Sequence, residues 1–373
     1  MALSKVDLAN QVENQLPQNL VANNLPFRNI IINGDMSLAQ RGTSASSLTG
    51  SSYETVDRFK QEISSQGTWT QSQSTDVPTG QGFATSLKMD CTTADASPAA
   101  SDYIYITQKI EGQNLQYLKK GTSSAESTTL SFWVKSNKTG TYIARLRDAD
   151  NTRSTSKSYT ISSADTWEKK TITFDGDTTG ALTNDNGTSL QLYFYLGAGS
   201  NYTSGTLATS WEANTNANNA VGQVNLADDT ANEWYITGVQ LEAGTTASDF
   251  EFLPVDVNLE RCERYFQKTY SIGNFAGSTG EGGTLWDSGS SDSAGNQSHL
   301  YNFKTRMRAS PTVTGYDRSG NSGQFNYYRS GSSSTGTFNT HMRGDASISY
   351  YTAIGANFTV ATTAGFLILE AEL

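Results

Sequence analysis

The sequence contains few of the residues that enzymes use for nucleophilic and metal chemistry. Among 373 residues there are only two histidines, His299 and His341, and two cysteines, Cys91 and Cys262. Neither a G-x-S-x-G elbow nor a phosphate-binding loop occurs. The two cysteines have no metal-ligand spacing, so we expect each to be a small buried apolar residue rather than half of a disulfide.

A glycosidase requires only two carboxylates, and acidic residues are plentiful. Asp228, Asp229 and Glu281 are the simplest candidates. However, adjacent acidic residues in loops rich in Asn and Ser are usually solvated, and the repeated pattern of a β-helix is missing. We therefore predict that the protein is not an enzyme.

Clusters of basic residues and long apolar runs are also missing. Only 17% of the residues are charged and the net charge is −10, whereas nucleic-acid binding requires dense Lys and Arg. No run approaches the ~20 apolar residues of a membrane helix. The opening MALSKVDLANQ has no apolar core typical of a secretion signal. These absences exclude nucleic acid as a partner and membrane insertion, and we expect release from the producing cell by lysis.

What the chain does contain is a regular alternation of apolar and polar residues between residues 29 and 252. An Asp185-Asn186-Gly187 turn precedes one such segment, and Gly238 lies where the alternation of Trp234 and Ile236 changes phase to that of Val239 and Leu241, as expected for a β-bulge. Alternation over many segments predicts antiparallel sheets with one face in a core, and thus an all-β fold. The apolar positions are Ile104, Ile106, Ile110, Leu130, Phe132, Val134, Ile172, Phe174, Leu190, Leu192, Phe194 and Leu196.

Before this domain, residues 1–28 form a separate arm. Val6, Ala9 and Val12 share one helical face, but the stretch is too short to bury these residues alone. The arm is either a strap across its own domain or a docking peptide for a larger assembly. Val6, Ala9 and Val12 are the candidate docking residues.

After the domain, residues 253–268 are predicted to form a helical linker that starts near Pro254, with Arg261 and Arg264 facing solvent. Residues 269–373 then predict a second, smaller β-sandwich with polar loops at 277–295 and 329–336, displayed as a surface-exposed tip. Its predicted strands are Tyr301–Met307, Thr312–Tyr316, Gln324–Tyr328, Ser347–Tyr351 and Gly365–Leu373.

Several short motifs resemble known families. INGDM (32–36), SFWVKS (131–136), WEKKTITF (167–174) and YITGVQLE (235–242) resemble, in this order, strands of jelly-roll carbohydrate-binding modules. TGVQLE followed by FE and by L-x-x-C-x-R-Y-F resembles a signature of tail-fibre-like and appendage proteins of tailed bacteriophages. MRASPTV (307–313) and the closing AEL are similar to the C-terminal domains of those proteins. The resemblance implies a jelly roll over residues 29–252.

A jelly roll of this kind implies a glycan-binding face on the side of the strands opposite the core. Aromatic rings there stack on the C–H faces of sugars, and polar neighbours orient them. The alternative is that a loop or a neighbouring subunit covers the face, and we favour this second interpretation. The candidate residues are Tyr103, Tyr105, Trp133, Arg145, Tyr193 and Tyr195.

The same resemblance raises the question of a structural calcium ion. Asn33, Gly34 and Asp35 occupy the position at which some of these modules hold calcium, but Gly238 replaces the usual acidic residue and Glu242 is the nearest substitute. Asp148 to Asn151 do not continue into a calcium loop. We therefore predict no cofactor, with a calcium ion at Asn33 as the alternative.

Together, these features predict a non-enzymatic structural protein on the surface of a tailed-phage virion, assembled in the host cytoplasm. A tail fibre or receptor-binding appendage that mediates host attachment is the preferred interpretation. The alternatives are a capsid decoration protein or head fibre, and a carbohydrate-binding module that works with a separate enzyme. The expected partners are further copies of the chain, as a homotrimer by analogy with fibres, other virion proteins of the tail or capsid, and host surface glycan.

Overall fold

A computed structural model describes residues 27–279, 282–329, 332–355 and 361–373. The predicted docking residues Val6, Ala9 and Val12 lie outside these residues. Two six-stranded antiparallel sheets form the larger domain. Sheet A contains, from edge to edge, β1 (Ser44–Leu48), β3 (Thr68–Ser74), β4 (Ser86–Thr93), β12 (Glu233–Ala243), β6 (Thr128–Ser136) and β9 (Glu168–Phe174). Sheet B contains β11 (Glu212–Ala213), β8 (Arg153–Ile161), β7 (Gly140–Asp148), β10 (Thr188–Ala198), β5 (Tyr103–Glu111) and β2 (Lys60–Ser64).

The two sheets pack face to face around one apolar core. Every second residue of each central strand points into this core, because successive side chains of a strand alternate between its two faces. Trp69, Phe132, Phe194 and Trp234 are among its largest members, and each is at most 1% exposed. The sandwich with a jelly-roll fold is therefore confirmed.

Two local predictions are also confirmed, the turn before β10 and the β-bulge at Gly238. The Asp185-Asn186-Gly187 turn ends where β10 begins, and the Gly187 N–H donates to Asp185 Oδ1 over 2.8 Å. The pairing of β12 with β6 shifts register between Thr237 and Gln240, so Gly238 lies in a β-bulge. Its φ of +63° is a left-handed conformation that favours glycine.

The smaller domain is built on one eight-stranded sheet that curls around its own core. Strand β20 (Ala361–Glu370) is central: its second half pairs with β13 (Phe266–Lys268) and β16 (Thr312–Tyr316), and its first half pairs with β14 (Leu285–Gly289) and β17 (Gln324–Arg329). The core includes Phe325, Phe338, Ile348 and Leu367. Its strands are β13 (Phe266–Lys268), β14 (Leu285–Gly289), β15 (Asn296–Asn302), β16 (Thr312–Tyr316), β17 (Gln324–Arg329), β18 (Ser332–Arg343), β19 (Ser347–Ala353) and β20 (Ala361–Glu370).

The all-β prediction for this domain is confirmed, but its strand boundaries were only partly right. Strand β16 is as predicted, whereas β14 and most of the 12-residue β18 lie in or next to segments predicted as loops. Strand β15 lies earlier than the predicted Tyr301–Met307. Most of β18 is exposed and polar, so its sequence shows no apolar alternation from which a strand could be predicted. Backbone hydrogen bonds to β17 and β19 hold it in the sheet.

Between the domains, the predicted linker of residues 253–268 is shorter than expected. Helix α2 (Val255–Glu263) begins directly after Pro254. Helix α1 (Ser200–Thr203) is a single turn and belongs to the larger domain. Residues 266–268 are already a strand of the second sheet. Short 3₁₀ turns occupy Gly112–Asn114, Gln116–Leu118, Asn216–Asn218 and Leu226–Asp228.

The prediction that Arg264 faces solvent is wrong. Its guanidinium binds both carboxylate oxygens of the buried Glu111 of the larger domain, at 2.7 and 2.6 Å, and the Tyr265 hydroxyl donates to the same carboxylate. Arg261 is half-buried and donates to the Asn29 carbonyl oxygen over 3.2 Å. Helical spacing predicted the position of these residues on α2, but not the Glu111 carboxylate that the fold brings to them.

Other contacts also cross this junction. Arg58 pairs with Glu372, and its guanidinium carbon lies 3.4 Å from the centre of the Tyr265 ring. The Lys268 ammonium donates to the Gln40 carbonyl oxygen over 2.8 Å. Cys91 and Cys262 are both free and buried, as predicted. In the described part of the chain, no helix is long and apolar enough to cross a membrane.

Candidate functional site

The six predicted glycan-face residues do not share one face. Trp133 is on β6 of sheet A, whereas the other five are on β5, β7 and β10 of sheet B. The prediction of a single face is therefore wrong for Trp133. Alternation shows which side of its own strand a residue faces, but not to which of two sheets that strand belongs.

The outer face of sheet B carries a tyrosine cluster. The Tyr105 ring centre lies 4.9 Å from that of Tyr193 and 5.3 Å from that of Tyr195, and Tyr103 stacks on Tyr105 at 5.1 Å. The Arg145 guanidinium lies 4.8 Å from the Tyr193 ring centre. The five residues thus do come together, as the sequence predicted for this part of the set.

This tyrosine cluster is largely covered by the chain itself. The segment from 199 to 225 crosses the face, where Tyr202 packs edge-on against Tyr103 and Arg145 donates to Asn214. Tyr193 is 7% and Tyr195 2% exposed, and burial raises the pKa of the Tyr195 hydroxyl to about 12. A sugar ring has no access to these two tyrosines while the segment is in place.

The outer face of sheet A, by contrast, has an open aromatic cleft of about 330 Å³. Half-buried Trp133 lies between Lys169 on β9 and Thr237 on β12, and all three side chains point away from the core. We call this the Trp133 cleft. Its other lining residues are Gly80, Gln81, Phe83, Ser131, Gly238, Asp249, Phe250 and Phe252.

Three phenylalanines form one wall of the Trp133 cleft. Phe83, Phe250 and Phe252 are in mutual contact, with ring centres 4.8–5.1 Å apart. The Gly238 bulge permits this arrangement, because a Cβ there would lie 2.6 Å from the Phe83 ring. The phenylalanines come from two connecting segments, so strand alternation gave no signal for them.

A second aromatic pair lies on the same outer face. The Trp167 and Tyr235 rings meet edge to face at 6.2 Å, and Lys135 lies 4.3 Å from the Tyr235 ring centre. Asp76 pairs with Lys135 and accepts a 2.9 Å hydrogen bond from the Trp167 indole. Burial acts to raise the pKa of Asp76, but these two hydrogen bonds keep it below its usual value.

The Trp133 cleft and the Trp167 pair together suit an extended polar ligand. Trp133 and Trp167 are half-buried and Phe252 is 50% exposed, so aromatic surface remains accessible. Lys169, Gln81 and Asp249 supply polar groups at the rim. Aromatic surface beside a few polar groups is the arrangement that holds and orients a sugar ring.

The residues weighed as calcium ligands have structural roles. The Asn33 amide donates to the carbonyl oxygens of Leu38 and Asp57, and Glu242 accepts hydrogen bonds from Gln240 and Ser248. Within the described ranges, no group of three or more His, Cys, Asp and Glu side chains is arranged to hold a metal ion.

One triad of side chains, in which His299 and Thr363 are buried and Asp287 is exposed, superficially resembles a catalytic arrangement. His299 Nδ1 is 2.7 Å from Asp287 Oδ2, and its Nε2 is 2.9 Å from Thr363 Oγ1. Thr363 is only 1% exposed within β20, so its hydroxyl has no approach for a substrate. Asp228 forms an ion pair with Lys138 over 2.6 Å, and Glu281 lies outside the described residues.

Comparison with known proteins gives structural neighbours only. No family model matches the chain, and no curated protein matches its sequence. The enzymatically active domain of tailspike protein 4 of bacteriophage CBA120 is 15% identical, with a TM-score of 0.31, over 59% of this chain and 22% of that one. The match thus spans about a fifth of the tailspike domain.

Carbohydrate-binding modules are further neighbours. A family 11 module from Clostridium thermocellum, solved with a mixed-linked tetrasaccharide, is 12% identical over 55% of this chain and 98% of the module, with a TM-score of 0.26. A xylan-binding domain is 14% identical over 53% and 97%, with a TM-score of 0.28. At these values, no activity or ligand is transferred to this chain.

Proposed function

We propose that the protein is a non-enzymatic glycan-binding appendage on the surface of a phage virion and that it binds its glycan in the Trp133 cleft. The observation that carries the glycan part is the accessible aromatic surface at Trp133 and Phe252, beside the polar groups of Lys169 and Asp249. This proposal moves the binding face from sheet B, where Tyr193 and Tyr195 are covered, to sheet A.

Placement on a virion rests on the sequence of the segment from Trp234 to Lys268, which resembles phage appendage proteins. Weak glycan sites gain avidity when several copies bind one surface, so assembly with further copies of the chain suits attachment to a host cell. Contacts across the domain junction would transmit mechanical force from one domain to the other. They are made by Arg264, Arg58 and Lys268.

The decisive experiment for the cleft is the substitution Trp133→Ala. Binding of the intact protein to oligosaccharides released from host surface polysaccharide is measured by calorimetry. Loss of the indole should weaken binding about tenfold or more, because aromatic anchors carry much of the affinity of such sites. Trp286→Ala is the matched control, since Trp286 is 53% exposed on the smaller domain. Equal affinity of a folded Trp133→Ala protein and the wild type would overturn the cleft assignment.

Placement on the virion is tested separately with an antibody against residues 269–373 and electron microscopy of intact particles. Label on the tail supports host attachment by a fibre or receptor-binding protein. Regular label over the head would instead assign the chain to capsid decoration. No label on any particle would contradict the virion proposal and leave a glycan-binding module.

A further inference from the structure

The outer face of sheet B carries a group of cationic side chains next to the tyrosine cluster. Lys109 of β5 lies across from Gln191 of β10, and Gln191 lies across from Arg147 of β7. On the other side, Lys60 of β2 lies across from Thr107, two residues before Lys109. Since neighbouring strands are about 4.8 Å apart and alternate residues share a face, the three cations lie on one surface that spans four strands. We call this surface the cationic patch.

The charges of the cationic patch act on one another. Burial lowers the pKa of Lys109, and the charges of Lys60 and Arg147 are among those that lower it further. Glu62 acts in the opposite direction, and its carboxylate forms an ion pair with Lys60 at 2.6 Å. Arg147 donates to the Gln191 amide oxygen over 3.2 Å rather than to a carboxylate. The patch is therefore locally positive in a chain whose net charge is −10.

Beneath the cations lie polar groups that the described part of the chain does not satisfy. Thr107, between Lys60 and Tyr193 on the neighbouring strands, is 2% exposed, and its hydroxyl has no hydrogen-bond partner there. Arg145, two residues before Arg147 on β7, is buried and has no such partner at its Nε. Because buried polar groups are nearly always hydrogen-bonded, we expect water or a ligand to complete this surface.

The cationic patch is accessible and borders an aromatic ring. Lys60, Lys109 and Arg147 are each half-buried, so part of every side chain reaches solvent. Tyr105 is also half-buried and lies two residues before Thr107 on β5. A ring of this kind packs on the C–H face of a sugar, and cations bind its carboxylate through charge-assisted hydrogen bonds. The combination suits an acidic sugar better than an inorganic ion.

We propose that the cationic patch binds an acidic polysaccharide, with carboxylates of successive sugars at Lys60, Lys109 and Arg147 and one sugar ring against Tyr105. Lys109 and Arg147 are two strands apart, about 10 Å, a distance that a chain with one carboxylate on each sugar spans and a small anion does not. The acidic remainder of the protein opposes this contact only weakly, because charges beyond about 8 Å are largely screened at physiological ionic strength. The site is separate from the Trp133 cleft on sheet A, and its ligand class does not rest on the proposed function.

The test is calorimetry of the full chain with a hexamer of galacturonic acid and with its neutral methyl ester. The acid should bind, and more tightly at low salt, whereas the ester should bind about tenfold more weakly because it lacks the charge. Lys109→Gln should weaken binding of the acid about fivefold. Since burial and like charges disfavour the charged form of Lys109, this variant should be at least as stable as the wild type. Unchanged stability with weaker binding separates a binding role from a structural one.

Lys119→Gln is the matched control for Lys109→Gln. It removes the same charge from an exposed lysine of the same domain, which lies outside the cationic patch and pairs with Glu126. Its affinity for the acid should remain within about twofold of that of the wild type. Lys60→Gln provides a second patch variant if Lys109→Gln does not fold.

Three results would overturn the proposal: no measurable binding of the acid, equal binding of acid and ester, or unchanged affinity in a folded patch variant. A DNA oligonucleotide of equal charge that binds as tightly as the hexamer would overturn the saccharide class. Trp133→Ala should leave binding of the hexamer unchanged, so failure at the patch is distinguishable from failure at the Trp133 cleft. A loss of hexamer binding in Trp133→Ala would move the acid to that cleft and overturn the patch.

Discussion

The two outer faces of the jelly roll are both aromatic, yet only one is open. On sheet B, the chain's own segment from 199 to 225 covers Tyr193 and Tyr195. On sheet A, Trp133 remains half-buried beside a cleft of about 330 Å³. Aromatic residues on a strand therefore have two uses, as a second packing layer or as a ligand surface. What decides between them is whether another segment crosses the face.

This difference in covering also separates the six predicted glycan-face residues into two groups, one on each sheet. The alternative in which a loop covers the face describes Tyr193, Tyr195 and Arg145 on sheet B. The binding alternative is the one proposed for Trp133 on sheet A. Whether Tyr103 and Tyr105, which are half-buried at the edge of the cluster, contribute to binding stays a prediction.

The largest effect is expected from removing an aromatic ring from the covered face, which tests whether this face stabilises the fold rather than binding glycan. Tyr195→Ala should lower the free energy of unfolding by about 3 kcal/mol, since it leaves a cavity under the covering segment. Glycan affinity at the Trp133 cleft should stay unchanged. Urea denaturation measures the first effect and calorimetry the second. If the substitution lowers glycan affinity but not stability, the roles of the two faces are reversed.

A smaller effect is expected from Gly238→Ala, which alters the open face from beneath. The new Cβ would lie 2.6 Å from the Phe83 ring, and the residue would keep a φ of +63°. We expect about 2 kcal/mol of destabilisation, together with weaker glycan binding as Phe83 shifts. Urea denaturation and calorimetry provide the two values.

Gly244→Ala is the matched control for this substitution. Gly244 also has a positive φ, +106°, but nothing lies within 4 Å of a Cβ placed there. Gly244→Ala should therefore lower the free energy of unfolding through backbone strain but leave glycan affinity unchanged. Equal affinity losses in the two variants would contradict a specific role for the contact between residue 238 and Phe83.

The smallest expected effect is a pH dependence of the open face. The pKa of Asp76 is lowered in the folded protein, so its ion pair with Lys135 is fully formed above the carboxyl's unfolded pKa of about 4. The stability that this ion pair contributes is lost as the pH falls through the lower pKa that Asp76 has in the folded protein. The fluorescence of Trp167, whose indole donates to Asp76, should change over that acidic range. Asp76→Asn should abolish the transition; a transition that persists in this variant would exclude Asp76 as its cause.

The predictable part of the fold was the part in which apolar alternation coincides with burial. The alternation of Leu190, Leu192 and Phe194 on β10, the Gly238 bulge and the start of α2 after Pro254 all follow from local sequence. The polar strand β18 was missed because its pairing relies on backbone hydrogen bonds, which every sequence offers equally.

The candidate sites were less predictable, because their residues meet only through distant parts of the chain. Phe83 and Phe250 are far apart in sequence but 5.1 Å apart in space. Similarly, Arg264 lies on the predicted helix, but its partner Glu111 is on β5 of the other domain. No periodicity within one segment can report such a pair.

By itself, the sequence determined the all-β class, the core side of each central strand, the buried thiols of Cys91 and Cys262, and the shortage of catalytic residues. These follow from alternation and composition, which are local properties of the chain. Tertiary structure decided to which sheet Trp133 belongs, which aromatic face is covered, and that Arg264 pairs with Glu111. These depend on the three-dimensional arrangement of segments that are remote in sequence, and burial and charge pairing are fixed only once that arrangement exists.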